Sequence, residues 1–521
     1  MPSNIDDVVV RDLLQRNARE SPDEVFVMFE DGSEWTRQDG LEIAYGAAQA
    51  FAAAGVQQGS RVAIFLPNGP DFLRAWWGAA MLGATVVPVN LSYRGSILEH
   101  LLGLSAPQLI VAREEFDDQI ASSPLGAGTA KLRPEALEAR ATTAPELSRE
   151  IELWDPHLLL LTSGTTGPSK LAEISYRASF VGGAYFTETW GATSADIVLL
   201  DLPLFHGAAL YQATAGLATR VRFAIRSAPN LNEYWEVARD AGATMGFVVS
   251  SMVPYLYSRP PRPADTQHSL RALITSPLPA DVAGFQKRFN IPEIVTACGS
   301  TEVGGWFLRT PGQPLVSGYC GRVREGFEVR LVDEWDREVS QGEVGEAIVR
   351  AEHPWMMMSG YVNNPAAQAS ANRNGWFHTG DLFRCDEVGN YFFIDRSKDA
   401  LRRRGENVSS FEVETEVLSF PGVAEAACVG FQEPGLADDE VKVWLVAEEG
   451  HTVDLDALFL HCVERMAHFM VPTYLELTDA LPKTPSLRVK KYELRNRGNS
   501  SRTWSREKAG FKLGRSGLVR V

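Results

Sequence analysis

Thr162-Ser163-Gly164-Thr165-Thr166-Gly167-Pro168-Ser169-Lys170 comes directly after the apolar run Leu158-Leu159-Leu160-Leu161. The run predicts a buried strand, and the stretch after it a loop of hydroxyls and glycines closed by a lysine. Gly164 and Gly167 permit positive φ and a close approach of backbone to a ligand. Backbone N–H groups that point inward in such a loop make an anion nest. Ser163, Thr165 and Thr166 add rotatable donors, and Lys170 adds a point charge. The stretch reads as a loop that holds phosphate. It is not of the Walker A type, which needs Gly-Lys-Ser/Thr adjacent at its end.

Outward from the loop, the chain reads as strand, helix, strand. Arg61–Leu66, a helix over Asp71–Met81 and Thr85–Val89 precede it; Ile197–Leu200, Val221–Ala224, Met245–Val249, Ala272–Thr275 and Ile294–Thr296 come after it. That spacing means βαβ units and a largely parallel sheet. Nearer the N-terminus, residues 6–20 read as a helix, Val25–Phe29 and Glu34–Thr36 as a hairpin, and Leu41–Ala54 as a helix stopped by Gly55. Residues 117–150 read as an irregular excursion. Beyond about residue 315, Glu328–Val332 and Glu346–Arg350 alternate as antiparallel strands do, and Asn390–Arg396 is a further strand. Helices over Ser410–Phe420 and Leu455–Met466, with strands Ala426–Phe431, Val441–Ala447 and Tyr474–Leu477, then make a compact α+β unit. The change of texture places a domain boundary at Ser397-Lys398, giving units 1–397 and 398–521.

With 521 residues, 45% hydrophobic and 22% charged, the chain has the composition of a globular protein with full cores. Its net charge of −16 argues against broad binding of nucleic acid or anionic membranes. The acidity is uneven: from Lys490 to Val521 lysines and arginines far outnumber the two acids, Glu493 and Glu507. Five scattered cysteines without a CxxC pair suggest neither a disulfide framework nor a zinc site. The N-terminus lacks a signal-peptide layout. The longest apolar run, Ala75–Val89, falls short of the ~20 residues that span a bilayer. The expectation is a soluble, cytoplasmic protein with no transmembrane segment and no nucleic-acid partner; a homodimer is left open.

Four further clusters bear on chemistry. Cys298-Gly299-Ser300-Thr301-Glu302 comes after the strand Ile294–Thr296; Trp376-Phe377-His378-Thr379-Gly380-Asp381 is read as a Gly-rich loop. Asp395-Arg396-Ser397-Lys398-Asp399 leads to Arg404-Gly405-Glu406-Asn407, and Leu481-Pro482-Lys483-Thr484-Pro485 leads to Arg488. A nucleotide site needs a carboxylate for a hard metal ion, which Glu302 supplies. It needs an acid to accept ribose hydroxyls, which Asp381 supplies, and cations around developing phosphate charge. Taken singly, Glu302 reads as a surface or capping acid, Asp381 as a turn residue and Arg402–Arg404 as a solvated face. Their order and spacing favour the joint reading.

That set resembles the adenylate-forming superfamily, acyl-CoA synthetase type, over almost the whole chain. The resemblance implies an α/β fold: a large N-terminal domain of two βαβ-type sheets plus a small β-barrel, and a smaller, mobile α+β C-terminal domain. It implies that a carboxylate attacks the α-phosphate of Mg-ATP to give acyl-AMP, and that a thiol, usually of coenzyme A, then displaces AMP. Carried over, Thr162, Ser163, Gly164, Thr165, Thr166, Gly167 and Lys170 hold the β- and γ-phosphates. Cys298, Gly299 and Ser300 are counted with the nucleotide-binding residues, Cys298 at the adenine face. Thr301 contacts the α-phosphate, Glu302 binds Mg²⁺, and Asp381 with Arg396 holds the ribose. Lys398 is the hinge, and Gly405 lies beside the pantetheine tunnel.

Three positions depart from that pattern. Cys298 stands where an aromatic face for adenine is usual, and Leu171 where glycine usually follows the lysine. Arg488 stands where a catalytic lysine bridges carboxylate and α-phosphate, and the swap is not conservative. Either Arg488 does the work, or Lys490 or Lys491 substitutes, or adenylation is slow. The runs Asp399–Asn407 and Thr503–Gly510 look like the carnitine/crotonobetaine-CoA ligase-like branch. The expected acid pocket is lined by His206, Ser250, Met252, Ser276, Gly299 and Gly304, with His206 equally readable as a packed core residue. That lining leans toward a hydrophobic fatty, aryl or alicyclic acid over a quaternary ammonium. Transfer to a carrier-protein thiol and a non-catalytic acyl- or nucleotide-binding relative are the alternatives.

Overall fold

The protein is described by a computed structural model covering residues 7–520 apart from 163–168, 250–251, 277, 280, 397–400, 404–405, 409, 433–438, 467, 469, 484–488 and 515–516. Three large sheets precede residue 397. The first carries the phosphate loop and runs in the order Gly360–Tyr361, Lys170–Ser175, Pro156–Thr162, Thr85–Pro88, Arg61–Phe65, Leu109–Ala112, Ala130–Leu132. From Pro156–Thr162 to Ala130–Leu132 the pairing is parallel, and the other two strands add on antiparallel. The central strands are buried on both faces, which is why they read as near-continuous apolar runs.

The second sheet orders Glu293–Val295, Ala272–Ile274, Met245–Phe247, Ile197–Leu200, Arg222–Ile225, Val25–Met28 and Glu34–Thr36. The N-terminal hairpin thus extends a sheet built mostly some 200 residues later, through the register Val27↔Phe223. A single core joins both sheets, with Val62, Val86, Leu158 and Leu160 from the first and Leu200, Phe223 and Ile274 from the second. The helix Pro70–Met81 sends Trp76 and Trp77 into it, and Trp77 stacks on Phe26 at 5.8 Å. The helix Arg37–Ala53 starts four residues before its expected Leu41. Thr36 and Asp39 form a reciprocal capping box there, with Thr36 N donating to Asp39 at 2.9 Å.

The third sheet, where a small barrel is expected, is an antiparallel sheet with no pairing between its edge strands among the described residues, and Asn372–Arg373 adds to Trp376–Cys385 off the main path. It runs Ala297–Ser300, Gly304–Leu308, Tyr319–Val323, Tyr391–Arg396, Trp376–Cys385, Val344–Ala351, Phe327–Val332. Beyond it, Val423–Gln432, Asp439–Ala447, Tyr474–Leu477 and Trp504–Ser505 form a sheet over a separate core that includes Val413, Val443, Leu445, Phe459 and Leu475. No residue of this core belongs to the clusters formed before residue 397. The boundary at 397/398 itself lies outside the described residues.

Four readings change. Residues 117–150 hold short elements, among them Ala130–Leu132, an edge strand too brief for alternation to show. The chain after the expected phosphate loop returns as a strand, Lys170–Ser175, paired antiparallel with Pro156–Thr162. Trp376–Asp381 is not a loop: it lies within the strand Trp376–Cys385. Pairing there jumps from Ile348↔His378 to Glu346↔Leu382, so Thr379-Gly380-Asp381 bulges opposite Ala347. Arg403 is not part of a solvated face but 2% exposed, ion-paired with Glu440 and donating to Val471 O at 3.0 Å.

Candidate active site

The hairpin register Thr162↔Lys170 closes the phosphate loop at its base. Ser163, Gly164, Thr165, Thr166 and Gly167 lie outside the described residues. Just beyond them, Ser169 O accepts from His100 Nε2 at 2.7 Å, so the helix Gly95–Ser105 anchors the loop's exit. The Lys170 ammonium lies 4.6 Å from the centre of the Tyr361 ring. The same ring's hydroxyl donates to Glu302 Oε1 at 2.8 Å. The expected phosphate cation and the expected metal carboxylate, 132 positions apart in sequence by their numbers (302 − 170), thus meet at one tyrosine.

The backbone at Thr301-Glu302 is held from two sides. Tyr211 OH donates to Thr301 O at 2.7 Å, and Met358 N donates to Glu302 O at 2.8 Å. Tyr211 is buried and its hydroxyl is pushed well up by desolvation and then by Glu302, so it stays a neutral donor. It reaches Thr301 because Gly182 and Gly183 let the helix Gly207–Thr219 lie tight against Tyr176–Trp190. A Cβ on Gly183 would sit 1.9 Å from Tyr211 O. Gly304 takes φ +77°, and a Cβ there would meet Gly182 Cα at 2.7 Å. Gly299 is equally confined, with Gly304 O 2.1 Å from a built Cβ. Both expected pocket glycines thus close the turn that carries Thr301 and Glu302.

Cys298, Gly299 and Ser300 lie on the strand Ala297–Ser300, paired with Phe307, Gly305 and Gly304. Cys298 is half-buried against the core, and the Ser300 hydroxyl oxygen is buried with no hydrogen-bond partner among the described residues. Asp381, 6% exposed, pairs in register with Arg396 on the neighbouring strand, which puts the two expected ribose residues side by side. The Arg396 side chain lies outside the described residues. The bulge that sets Asp381 is pinned: Gly380 N donates to Glu346 Oε1 at 2.9 Å, and Thr379 Oγ1 donates to Ala347 O at 2.7 Å.

Of the expected acid-pocket residues, His206 caps the helix Gly207–Thr219, its Nδ1 accepting from Ala208 N at 3.2 Å. Met252 is 2% exposed in a core with Tyr234, Trp235 and Leu256. Ser276 Oγ donates to Ala297 O at 2.7 Å, tying the second sheet to the strand of Cys298. Ser250, Lys398, Gly405 and Arg488 lie outside the described residues. Lys491 is committed elsewhere, ion-paired with Glu414 at 2.8 Å, and Lys490 pairs with Glu493 at 3.0 Å. His100, Tyr211, Glu346 and Tyr361 escaped the reading of the sequence. Each acts through a contact between segments far apart in the chain, for which no spacing rule exists.

The AMP-binding enzyme family model matches residues 14–362, and the model of the AMP-binding enzyme C-terminal domain matches residues 412–488. The crotonobetaine/carnitine–CoA ligase of Citrobacter koseri is 29% identical over 473 residues, covering 86% of this chain and 90% of its own. That of Escherichia coli O139:H28 is 28% identical over 467 residues, covering 85% and 89%. Among solved structures, ATP-bound MatB from Rhodopseudomonas palustris superposes with a TM-score of 0.83 at 24% identity, covering 94% of this chain and 98% of its own. The O-succinylbenzoate coenzyme A synthetase of Bacillus subtilis with AMP does so with a TM-score of 0.83 at 23% identity, covering 94% and 98%. The two superpositions speak to the fold.

Proposed function

The chain belongs to the AMP-binding enzyme family, and from that premise we propose that it is an AMP-forming acid–CoA ligase. A carboxylate oxygen of the acid attacks the α-phosphorus of ATP, the bond to pyrophosphate breaks, and an acyl adenylate forms. The sulfur of coenzyme A then attacks the acyl carbon, its proton leaves, and AMP departs. The observation that supports this most is the meeting of Lys170, Tyr361 and Glu302 beside the base of the phosphate-loop hairpin. Such chemistry is mostly positioning and charge neutralisation. Lys170 would meet the β- and γ-phosphates, Thr301 the α-phosphate, and Asp381 with Arg396 the ribose.

Mg²⁺ fits the residues present. Glu302 offers the oxygen that Tyr361 leaves free, and among the described residues no group of three or more His, Cys, Asp or Glu could form a metal cage. One carboxylate plus substrate phosphates is the usual way this ion is bound, and when bound it neutralises polyphosphate charge. Lys398 is proposed as the hinge between 1–397 and 398–521, a reading supported by their separate cores. Among the described residues no helix is long and apolar enough to cross a membrane.

The substrate class proposed is an uncharged hydrophobic acid. Carnitine, in the relatives' names, carries a quaternary ammonium that calls for an acidic or aromatic cage. Of the residues expected to line the acid pocket, His206, Met252, Ser276, Gly299 and Gly304 include no carboxylate and no Phe, Tyr or Trp. Acid-dependent exchange of pyrophosphate into ATP across a panel of fatty, aryl, alicyclic and trimethylammonium acids tests the reading, with coenzyme A added afterwards. Exchange with a hydrophobic acid and AMP release on adding coenzyme A are expected. Release only with a carrier protein would move the acceptor, and no exchange with any acid would overturn the activity.

A further inference from the structure

Tyr361 stands between two opposite charges. Its strand, Gly360–Tyr361, is the edge of the first sheet and pairs with Lys170–Ser175 in the register Tyr361↔Ala172. Its backbone N donates to Gln368 Oε1 at 3.0 Å, from the helix Pro365–Ala371 that comes immediately after. The residue is 9% exposed. The ring is therefore fixed, with the Lys170 ammonium 4.6 Å from its centre and its hydroxyl donating to Glu302 Oε1 at 2.8 Å. Among the described residues no carboxylate lies within ion-pairing distance of Lys170.

We propose that Tyr361 is a positioning residue that holds Lys170 and Glu302 in one constellation while keeping them from pairing directly. A salt bridge between them would spend the lysine's donors and the carboxylate's lone pairs on each other. A ring face attracts the ammonium without consuming any of its three N–H donors, and one phenol hydrogen bond occupies a single lone pair of a carboxylate that has about four. Cation and anion are thus left free for phosphate and metal at a fixed separation. The inference rests on the adenylation activity proposed for this site.

Tyr361→Phe and Tyr361→Leu separate the two contacts. Calorimetric binding of ATP with Mg²⁺ and with EDTA is measured alongside the Mg²⁺ dependence of pyrophosphate exchange. Tyr361→Phe keeps the ring and is expected to raise the half-saturating Mg²⁺ about tenfold, as loss of a hydrogen bond to a charged group does. ATP binding in EDTA and the thermal midpoint stay near wild type. Tyr361→Leu lets Lys170 reach Glu302 and is expected to weaken ATP binding in EDTA as well, by about three- to tenfold. Wild-type Mg²⁺ dependence in Tyr361→Phe overturns the proposal. So does a loss in either variant that only follows a lowered thermal midpoint. If the wild type shows no exchange with any acid, the proposed activity fails, and the calorimetry alone still decides the role of Tyr361.

Discussion

His157, on the strand that feeds the phosphate loop, has no exposed surface. Its Nε2 accepts from Trp76 Nε1 at 2.9 Å and its ring lies on Tyr176 at 4.4 Å. Burial without a counter-charge lowers its pKa to about 3. Between the ordinary histidine value and that figure the unfolded chain binds a proton the folded chain refuses. The contribution of His157 is therefore full above about pH 6.5 and falls by about 1.4 kcal/mol per pH unit below it. Buried Asp201, raised to about 7, contributes the opposite slope in this range. The quantity to read is therefore the difference in unfolding free energy between wild type and His157→Gln from pH 7.5 to 5, by denaturant unfolding followed by tryptophan fluorescence; that difference should carry the His157 slope. At the other end of the site, Lys491 is bound to Glu414 and Lys490 to Glu493, which favours Arg488 as the cation on the α-phosphate. Arg488→Ala is expected to slow acyl-AMP formation by about 10²–10³ in a single-turnover assay. An unchanged rate would remove Arg488 from the mechanism.

The elements that place the site are a hairpin, a bulge and a pair of tightly packed helices. Gly183→Ala puts a methyl where Tyr211 O lies 1.9 Å from the built Cβ, so the helices must part and Tyr211 must leave Thr301. A loss of about 1–3 kcal/mol in denaturant unfolding is expected, together with weaker ATP binding by calorimetry; a variant as stable as wild type would show the helix contact to be soft. These elements differ in how legible they are. Leu158–Leu161 could be read because a strand buried on both faces is an apolar run. Lys170–Ser175 could not, since it opens with a lysine already spoken for by the loop and has Glu173 at its centre. Thr379-Gly380-Asp381 looked like a loop because its glycine does take positive φ, at +70°, but within a bulged strand. Arg403 looked solvated because the partner that buries it, Glu440, comes from a distant strand.

At the scale of the molecule, the described residues on either side of the expected boundary near residue 397 pack into different cores. Residues before it pack chiefly around one continuous cluster that joins three sheets, and residues after it pack around another. Glu302 and Asp381 come before that boundary in the chain, while Phe511 of the basic tail belongs to the second cluster and Trp504 packs against it. We propose that the last cation, Arg488, is brought to the nucleotide by docking one domain on the other and withdrawn by the same motion. The central claim is that the acid attacks the α-phosphorus. The direct measurement uses an accepted acid labelled with ¹⁸O in both carboxyl oxygens, with ATP and coenzyme A, and mass spectrometry of the products. One ¹⁸O should appear in AMP, one should remain in the thioester, and none should enter pyrophosphate. Label in inorganic phosphate with ADP formed, or unlabelled AMP beside a fully formed thioester, would contradict the account.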